Sequence, residues 1–260
     1  MTKQTLLAAT FLCLALTAAQ SQSRLNNDTK GIIYNDEKAI DIRVHTHGWA
    51  ANFMVGKIKS YYKTTFYRFG LGELRHFKEV SESTDYSAFS PGSGFRQYIF
   101  GKQNYGFVLR GGYGVKRYYT EKASKKGVAL AVTYSGGVTL ALMMPYYLEV
   151  NNGSREPSGS KEIKYSSETA SVFLDKYKIR GAASVFKGIG ETSFVPGIHG
   201  QIGVHIDWGA FDEFMRAVEA GIMIDIFPKK LPIMAPINGT DENRPYFFNL
   251  YVSLQLGKRN

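Results

Sequence analysis

Apolar and polar residues alternate with a period of two along much of the chain, most clearly between residues 198 and 227. Ile198, Ile202, Val204, Ile206 and Trp208 fall on one parity; His199, Gln201, His205 and Asp207 fall on the other. After a short polar join at 209–213, Phe214, Val218, Ala220, Ile222, Ile224 and Ile226 share one face, with Glu219, Gly221 and Asp225 opposite. Successive strand side chains point to opposite faces, so both segments predict β-strands with one apolar and one polar side. Their length is close to the roughly 9–11 residues that a tilted strand needs to cross a bilayer.

The same pattern recurs. Ile40, Ile42 and Val44 alternate with Asp41, Arg43 and His45; the parity then flips at Trp49, Ala51, Phe53 and Val55. A flip predicts a two-residue hairpin, centred on His47-Gly48 with Thr46 paired to Trp49. A third strand spans 61–71, with Arg68 and Gly70 inward, and a fourth spans 104–118, with Arg110, Gly112, Gly114 and Lys116 on the polar side. In 127–147 the even parity persists through Gly136-Gly137, from Val128 to Leu142, which predicts one long strand bent at the glycines. The strands at 198–208 and 214–226 follow. Phe248, Leu250, Val252, Leu254 and Leu256 alternate in the last, leaving 257–260 as a stub.

The expected architecture is all-β: a transmembrane antiparallel β-barrel, most simply of eight strands with ten as the alternative, over residues 39–257. An even count returns both termini to one side. It also places the long segments 73–103, 148–196 and 228–244 together at the outer end and the short joins at the inner end, which is the usual arrangement in such barrels. Residues 73–101 read as loop, 151–161 as polar and mobile, and 171–186 as room for a short helix. The stretch 171–192 carries Val172, Phe173, Val185, Phe186 and Ile189, and is expected to cover the barrel's outer mouth or a protein partner.

Composition agrees with a barrel: 17 Tyr, 17 Phe and 27 Gly suit aromatic girdles and crowded strands. A secreted β-sandwich uses similar alternation and is the competing reading. Lys3 followed by an apolar run to Leu16 and small Thr17, Ala18 and Ala19 predicts a secretory signal peptide over 1–19, rather than a membrane anchor. Residues 20–38 then form a polar, flexible periplasmic lead-in. The single cysteine, Cys13, falls within the signal, so a mature chain of about 240 residues has no disulfide and no thiol chemistry. The net charge of +10 is dispersed rather than clustered, which favours anionic lipid and lipopolysaccharide as contacts over nucleic acid.

Several short motifs carry a resemblance: Thr46-His47-Gly48-Trp49, Lys78-Glu79, Tyr98-Ile99-Phe100-Gly101-Lys102, Gly112-Tyr113-Gly114, Pro145-Tyr146-Tyr147-Leu148, Pro196-Gly197, Glu219-Ala220-Gly221, Pro232-Ile233-Met234-Ala235 and Leu256-Gly257-Lys258-Arg259. In these the chain resembles an uncharacterised family of outer-membrane β-barrel proteins from Bacteroidota. The resemblance implies the cell outer membrane and the barrel fold, and brings no catalytic residue.

Candidate chemistry lies on the inward faces: Asp41, Arg43, His45, Arg110, His199, His205, Asp207, Glu219 and Asp225. Small barrels are filled by their own side chains, so these residues are expected to satisfy one another as an inward polar network, without cofactor or metal. No inward serine neighbours His199 or His205 in sequence, which weighs against a hydrolase. His199, His205 and Asp207 share a face but lack a recognised ligand spacing. The expected function is a non-enzymatic barrel, a structural or accessory subunit of a larger outer-membrane complex for protein insertion or secretion. A lipid-A- or phospholipid-modifying enzyme and a narrow pore or small-ligand carrier are the alternatives.

Overall fold

The computed structural model describes residues 34–84, 96–120, 128–151, 160–208, 213–236 and 240–260. The expected signal peptide, and the lead-in as far as residue 33, lie outside them, as does most of the polar stretch 151–161. In chain order the strands are β1 (Asp36–His45), β2 (Gly48–Ser60), β3 (Lys63–Leu74), β4 (Ser81–Thr84), β5 (Arg96–Ile99), β6 (Asn104–Tyr118), β7 (Ala129–Pro145), β8 (Tyr147–Asn151), β9 (Ser160–Lys164), β10 (Ile179–Ala182), β11 (Ser193–Asp207), β12 (Phe214–Ile226) and β13 (Tyr246–Arg259). Eight of them form a closed antiparallel barrel in the order β1-β2-β3-β6-β7-β11-β12-β13. β13 returns to β1 with Ile42 opposite Leu254 and Val44 opposite Val252.

The period-two pattern decides which face is which. Ile40, Ile42, Phe53, Phe69, Leu109, Tyr113, Val138, Ile198, Ile202, Val252 and Leu254 stand exposed on the outside. The alternate positions are buried and largely polar. On β7 the apolar outer face runs from Leu130 to Leu142. At about 3.3 Å per residue and a strand tilt of about 40°, it covers a band roughly 30 Å tall.

The structure differs from the sequence reading in five places. The first hairpin turns at Thr46-His47, with His45 paired to Gly48 and Val44 to Trp49. Gly48 is needed next to the turn rather than within it. Its φ is +140°, and an added Cβ would stand 2.8 Å from the Glu73 carbonyl oxygen of β3. β1 begins at Asp36, so residues 36–38 belong to the barrel rather than the lead-in. β13 runs on to Arg259, so the expected stub is mostly strand. Both extensions are held by charges that pair inside the barrel. Segment 73–101, read as loop, contains the β4–β5 hairpin. Segment 148–196 holds a three-stranded sheet, β10-β8-β9, and its only α-helical turn among the described residues is Ala170–Phe173. Tyr98, Tyr146, Leu148, Val150, Ile163, Phe173 and Ile179 form the core of this external unit.

The turn at Tyr61-Tyr62, the strand ends at Tyr118, Ala129, Asp207 and Phe214, and the barrel's first and last strand residues, Asp36 and Arg259, lie at one end of the barrel; the strand ends at Leu74, Asn104, Pro145, Ser193, Ile226 and Tyr246 lie at the other.

Two aromatic rings are buried inside the barrel, each in a register row of glycines. Phe66 pairs with Gly56 on one side and Gly114 on the other. Tyr251 pairs with Gly221, which pairs with Gly203. A Cβ at Gly114 would stand 2.5 Å from Phe66 Cζ, and one at Gly203 would stand 2.6 Å from the Tyr251 hydroxyl. The missing side chains are the space that the rings occupy. Gly114→Val should therefore overpack the interior and lower barrel stability by about 1–3 kcal/mol. The same change at outward-facing Gly200, where an added Cβ meets nothing within 4 Å, should be tolerated. Urea unfolding of the two variants compares them directly.

Candidate functional site

Among the described strand residues, five buried carboxylates (Glu37, Asp41, Asp207, Glu219, Asp225) share the barrel interior with five buried cations (Arg43, Arg68, Arg110, Lys116, Arg259), so the formal charge cancels. They are arranged in tiers. Nearest the termini, Lys116 Nζ lies 2.8 Å from Glu37 Oε1, and Arg259 Nε donates to Glu37 Oε2 at 2.9 Å. Arg259 Nη2 also donates to Asp207 Oδ2 at 2.6 Å. This tier ties the first strand to the last and explains why both run beyond their expected bounds.

The middle tier is built on Asp41 and Glu219. Asp41 accepts from Arg43 Nη2 at 3.1 Å and from Asn52 at 3.2 Å. Glu219 accepts from the Tyr251 hydroxyl at 2.7 Å, Gln255 Nε2 at 2.9 Å and Arg68 Nη2 at 3.4 Å. Arg43 Nη1 donates to Gln201 at 2.7 Å, and its guanidinium lies 3.9 Å over the Tyr251 ring. His205 Nδ1 lies 3.7 Å from Glu219 Oε2, beyond hydrogen-bonding distance, and its ring meets Tyr118 edge-on.

In the upper tier, Arg110 grips Asp225 with two hydrogen bonds of 2.9 and 2.8 Å. The Thr139 hydroxyl bridges Asp225 and His199 Nδ1. His45 and His47 both direct Nδ1 at Asn249 Oδ1, at 3.1 and 2.7 Å.

The mouth above this tier is filled by the segment between β12 and β13. Leu231, Ile233 and Met234 pack against inward Leu74, Val108, Ala141, Met143, Val195 and Phe247. Asn243 locks the segment in place. Its Oδ1 accepts from the Ile233 and Met234 amides at 3.0 Å each, and its Nδ2 donates to the Met234 carbonyl at 2.7 Å. The Gln103 amide donates to the Ile233 carbonyl, and Lys102 pairs with Glu79 at 2.6 Å beside it. His76, at the edge of this plug, approaches the Glu242 carbonyl at 3.4 Å, and burial holds its pKa below the usual histidine range. The expectation that 171–192 covers the mouth is thus corrected. Val172, Phe173, Ile179 and Ala182 belong to the external unit, Gly188 packs on the end of β7, and the mouth is taken by Leu231, Ile233 and Met234 of the segment between β12 and β13.

Of the nine residues singled out from sequence, all lie on the inner face, but in different tiers rather than one cluster. His199 joins Thr139 and Asp225, whereas His205 lies at the Glu219 level. No group of three or more His, Cys, Asp or Glu side chains that could hold a metal ion occurs among the described residues. Among the partners that sequence reasoning did not select are Glu37, Arg68, Lys116, Tyr251, Gln255 and Arg259. Arg68 and Lys116 already stood on polar faces. Glu37 and Arg259 lay beyond the assumed barrel limits.

The register also places a serine where sequence could not. Ser253 faces Glu219 across β12–β13, and Glu219 faces His205 across β11–β12. Ser253 is only 2% exposed and His205 and Glu219 are fully buried, so this row is enclosed within the barrel.

No family model and no curated protein matches this chain. Among solved structures it is similar to Neisserial surface protein A, at 7% identity over 87% of this chain and 97% of that one, with a TM-score of 0.42. It is also similar to the N-terminal β-barrel domain of Pseudomonas aeruginosa OprF, at 8% identity over 87% and 98% of the two chains, with a TM-score of 0.36. Likenesses this distant bring no activity or partner to the chain.

Proposed function

We propose that this chain is an outer-membrane β-barrel without enzymatic activity, closed to passage, which serves as a structural or accessory subunit presenting its external unit to a larger outer-membrane assembly. The observation that carries this reading is the inverted polarity of the barrel. Apolar side chains cover the outside in a band of bilayer height, while paired charges fill the inside. Such a surface is stable only against lipid, because a soluble protein rarely exposes apolar patches beyond a few hundred Å². No described helix is long and apolar enough to cross a membrane, which leaves the strands as the elements to consider. Closed barrels are the strand architecture that satisfies its backbone in lipid. Outside the band, lipid head groups and lipopolysaccharide phosphates are the expected contacts of the exposed lysines.

Three tiers of paired side chains and the Leu231–Met234 plug speak against a pore, and the burial of Ser253 speaks against a hydrolase. What remains exposed for interaction is the unit built from β4–β5 and β8–β10. The reading has three tests. The purified protein should migrate faster on a gel unboiled than boiled, and vesicles containing it should retain small sugars and ions as well as empty ones. Rapid leakage would replace the closed-barrel reading with a pore. Tagged protein extracted in mild detergent should bring partners with it, and recovery as a lone monomer would remove the accessory-subunit role.

A further inference from the structure

We infer that the 3₁₀ segment Val185–Glu191 is an interfacial foot that lays Val185, Phe186 and Ile189 into the head-group region of the outer leaflet beside the barrel. This inference rests on the membrane reading above.

The segment precedes β11 directly and is closed by Lys187 N–H to Ser184 O at 3.2 Å and Thr192 N–H to Ile189 O at 3.3 Å. Its central glycine, Gly188, is buried against the end of β7. A Cβ there would run into the Pro145 carbonyl and stand 3.0 Å from Met144 Cγ. Met144 has the outward parity of Leu140 and Leu142, yet it is only 7% exposed. The segment therefore lies on the outer wall of the barrel rather than over the mouth, which the Leu231–Met234 plug already fills.

On the other side of the segment the apolar residues are uncovered: Phe186 is 79% and Ile189 is 55% exposed. Phe194, outward on β11 three residues beyond the segment, is exposed as well. Exposed apolar side chains thus stand both at the outer end of β11 and on the segment that leads into it. Its charged neighbours are turned to the external unit: Lys187 pairs with Glu162, and Lys164 pairs with Glu191 at 2.6 Å. A short segment with an aromatic and aliphatic side facing away from its ion pairs, set at the edge of a hydrocarbon band, has the composition that rests at a lipid interface. The seat of Gly188 on outward-facing Met144, next to the exposed outer end of β11, favours lipid as the occupant over a protein partner.

The test uses single-cysteine variants of the full chain in a Cys13→Ser background. Phe186→Cys, Ile202→Cys and Tyr177→Cys carry an environment-sensitive fluorophore and are reconstituted in phosphatidylcholine vesicles with nitroxide at the head group or deep in the acyl chain. Tyr177 is fully exposed on the external unit and Ile202 lies mid-wall. The label at 186, about 5–10 Å into the head-group boundary, should lose most of its emission to the shallow nitroxide. The label at 202 should respond to the deep one, and the label at 177 to neither. If 202 is quenched and 186 is not, the foot is in water or under protein and the inference fails. If 202 is not quenched by either lipid, the membrane reading itself fails.

Discussion

Glu219→Leu is expected to destabilise the barrel by about 3–5 kcal/mol, because removing one member of a buried ion pair strands the charge that remains. Glu219 is the common acceptor for Tyr251, Gln255 and Arg68, and lies 3.7 Å from Arg43. Without it, Asp41 at 3.7 Å is the one carboxylate left to Arg68 among the described residues, in a buried interior. His205→Leu is the contrasting variant. With no hydrogen bond to lose at its 3.7 Å separation from Glu219, its effect should stay within about 1 kcal/mol. Urea unfolding in vesicles, followed by the gel shift between folded and unfolded forms, measures both. Equal midpoints for Glu219→Leu and the parent chain would mean that the middle tier contributes nothing to stability.

Ile202→Arg should cost about 2–4 kcal/mol in a bilayer, whereas Phe194→Arg, on the same face of the same strand but at its outer end, should cost only about 0–1 kcal/mol. Both residues are exposed and neither contributes to the interior tiers, so the difference reports depth in hydrocarbon and nothing else. A soluble sandwich or barrel would show no penalty at either position. The same unfolding assay supplies the values, and a neutral Ile202→Arg would exclude hydrocarbon around the wall.

Much of this barrel was legible from side-chain parity. Ile198 to Trp208 and Phe214 to Ile226 announce their two faces locally, because the alternation of a strand belongs to its own backbone. The persistence of even parity through Gly136 and Gly137 was enough to make β7 one strand rather than two. The inward position of Asp41, Arg43 or Glu219 follows from the same parity, since it requires only the neighbours in sequence.

Partners were not legible in this way. Glu37 and Arg259 meet only because β1 and β13 close the barrel, 222 residues apart in sequence. The hairpin at Thr46-His47 was displaced because two registers differing by one pair keep the same faces outward, and parity cannot separate them. Gly48 is decided by the carbonyl of Glu73 on the next strand. The segments β8, β9 and β10 are four or five residues long, too short for alternation to distinguish them from loop, and only their shared core around Phe173 makes them a sheet. Leu231 and Ile233 sit between prolines and lysines, where the local pattern signals a turn. Burial against six inward side chains from other strands makes them the plug. Sequence by itself determined the strands, their faces and the inverted polarity, all consequences of backbone geometry within one segment. Tertiary structure decided which charges meet, what fills the mouth and what lies on the outer wall, because those contacts form only between segments distant in the chain.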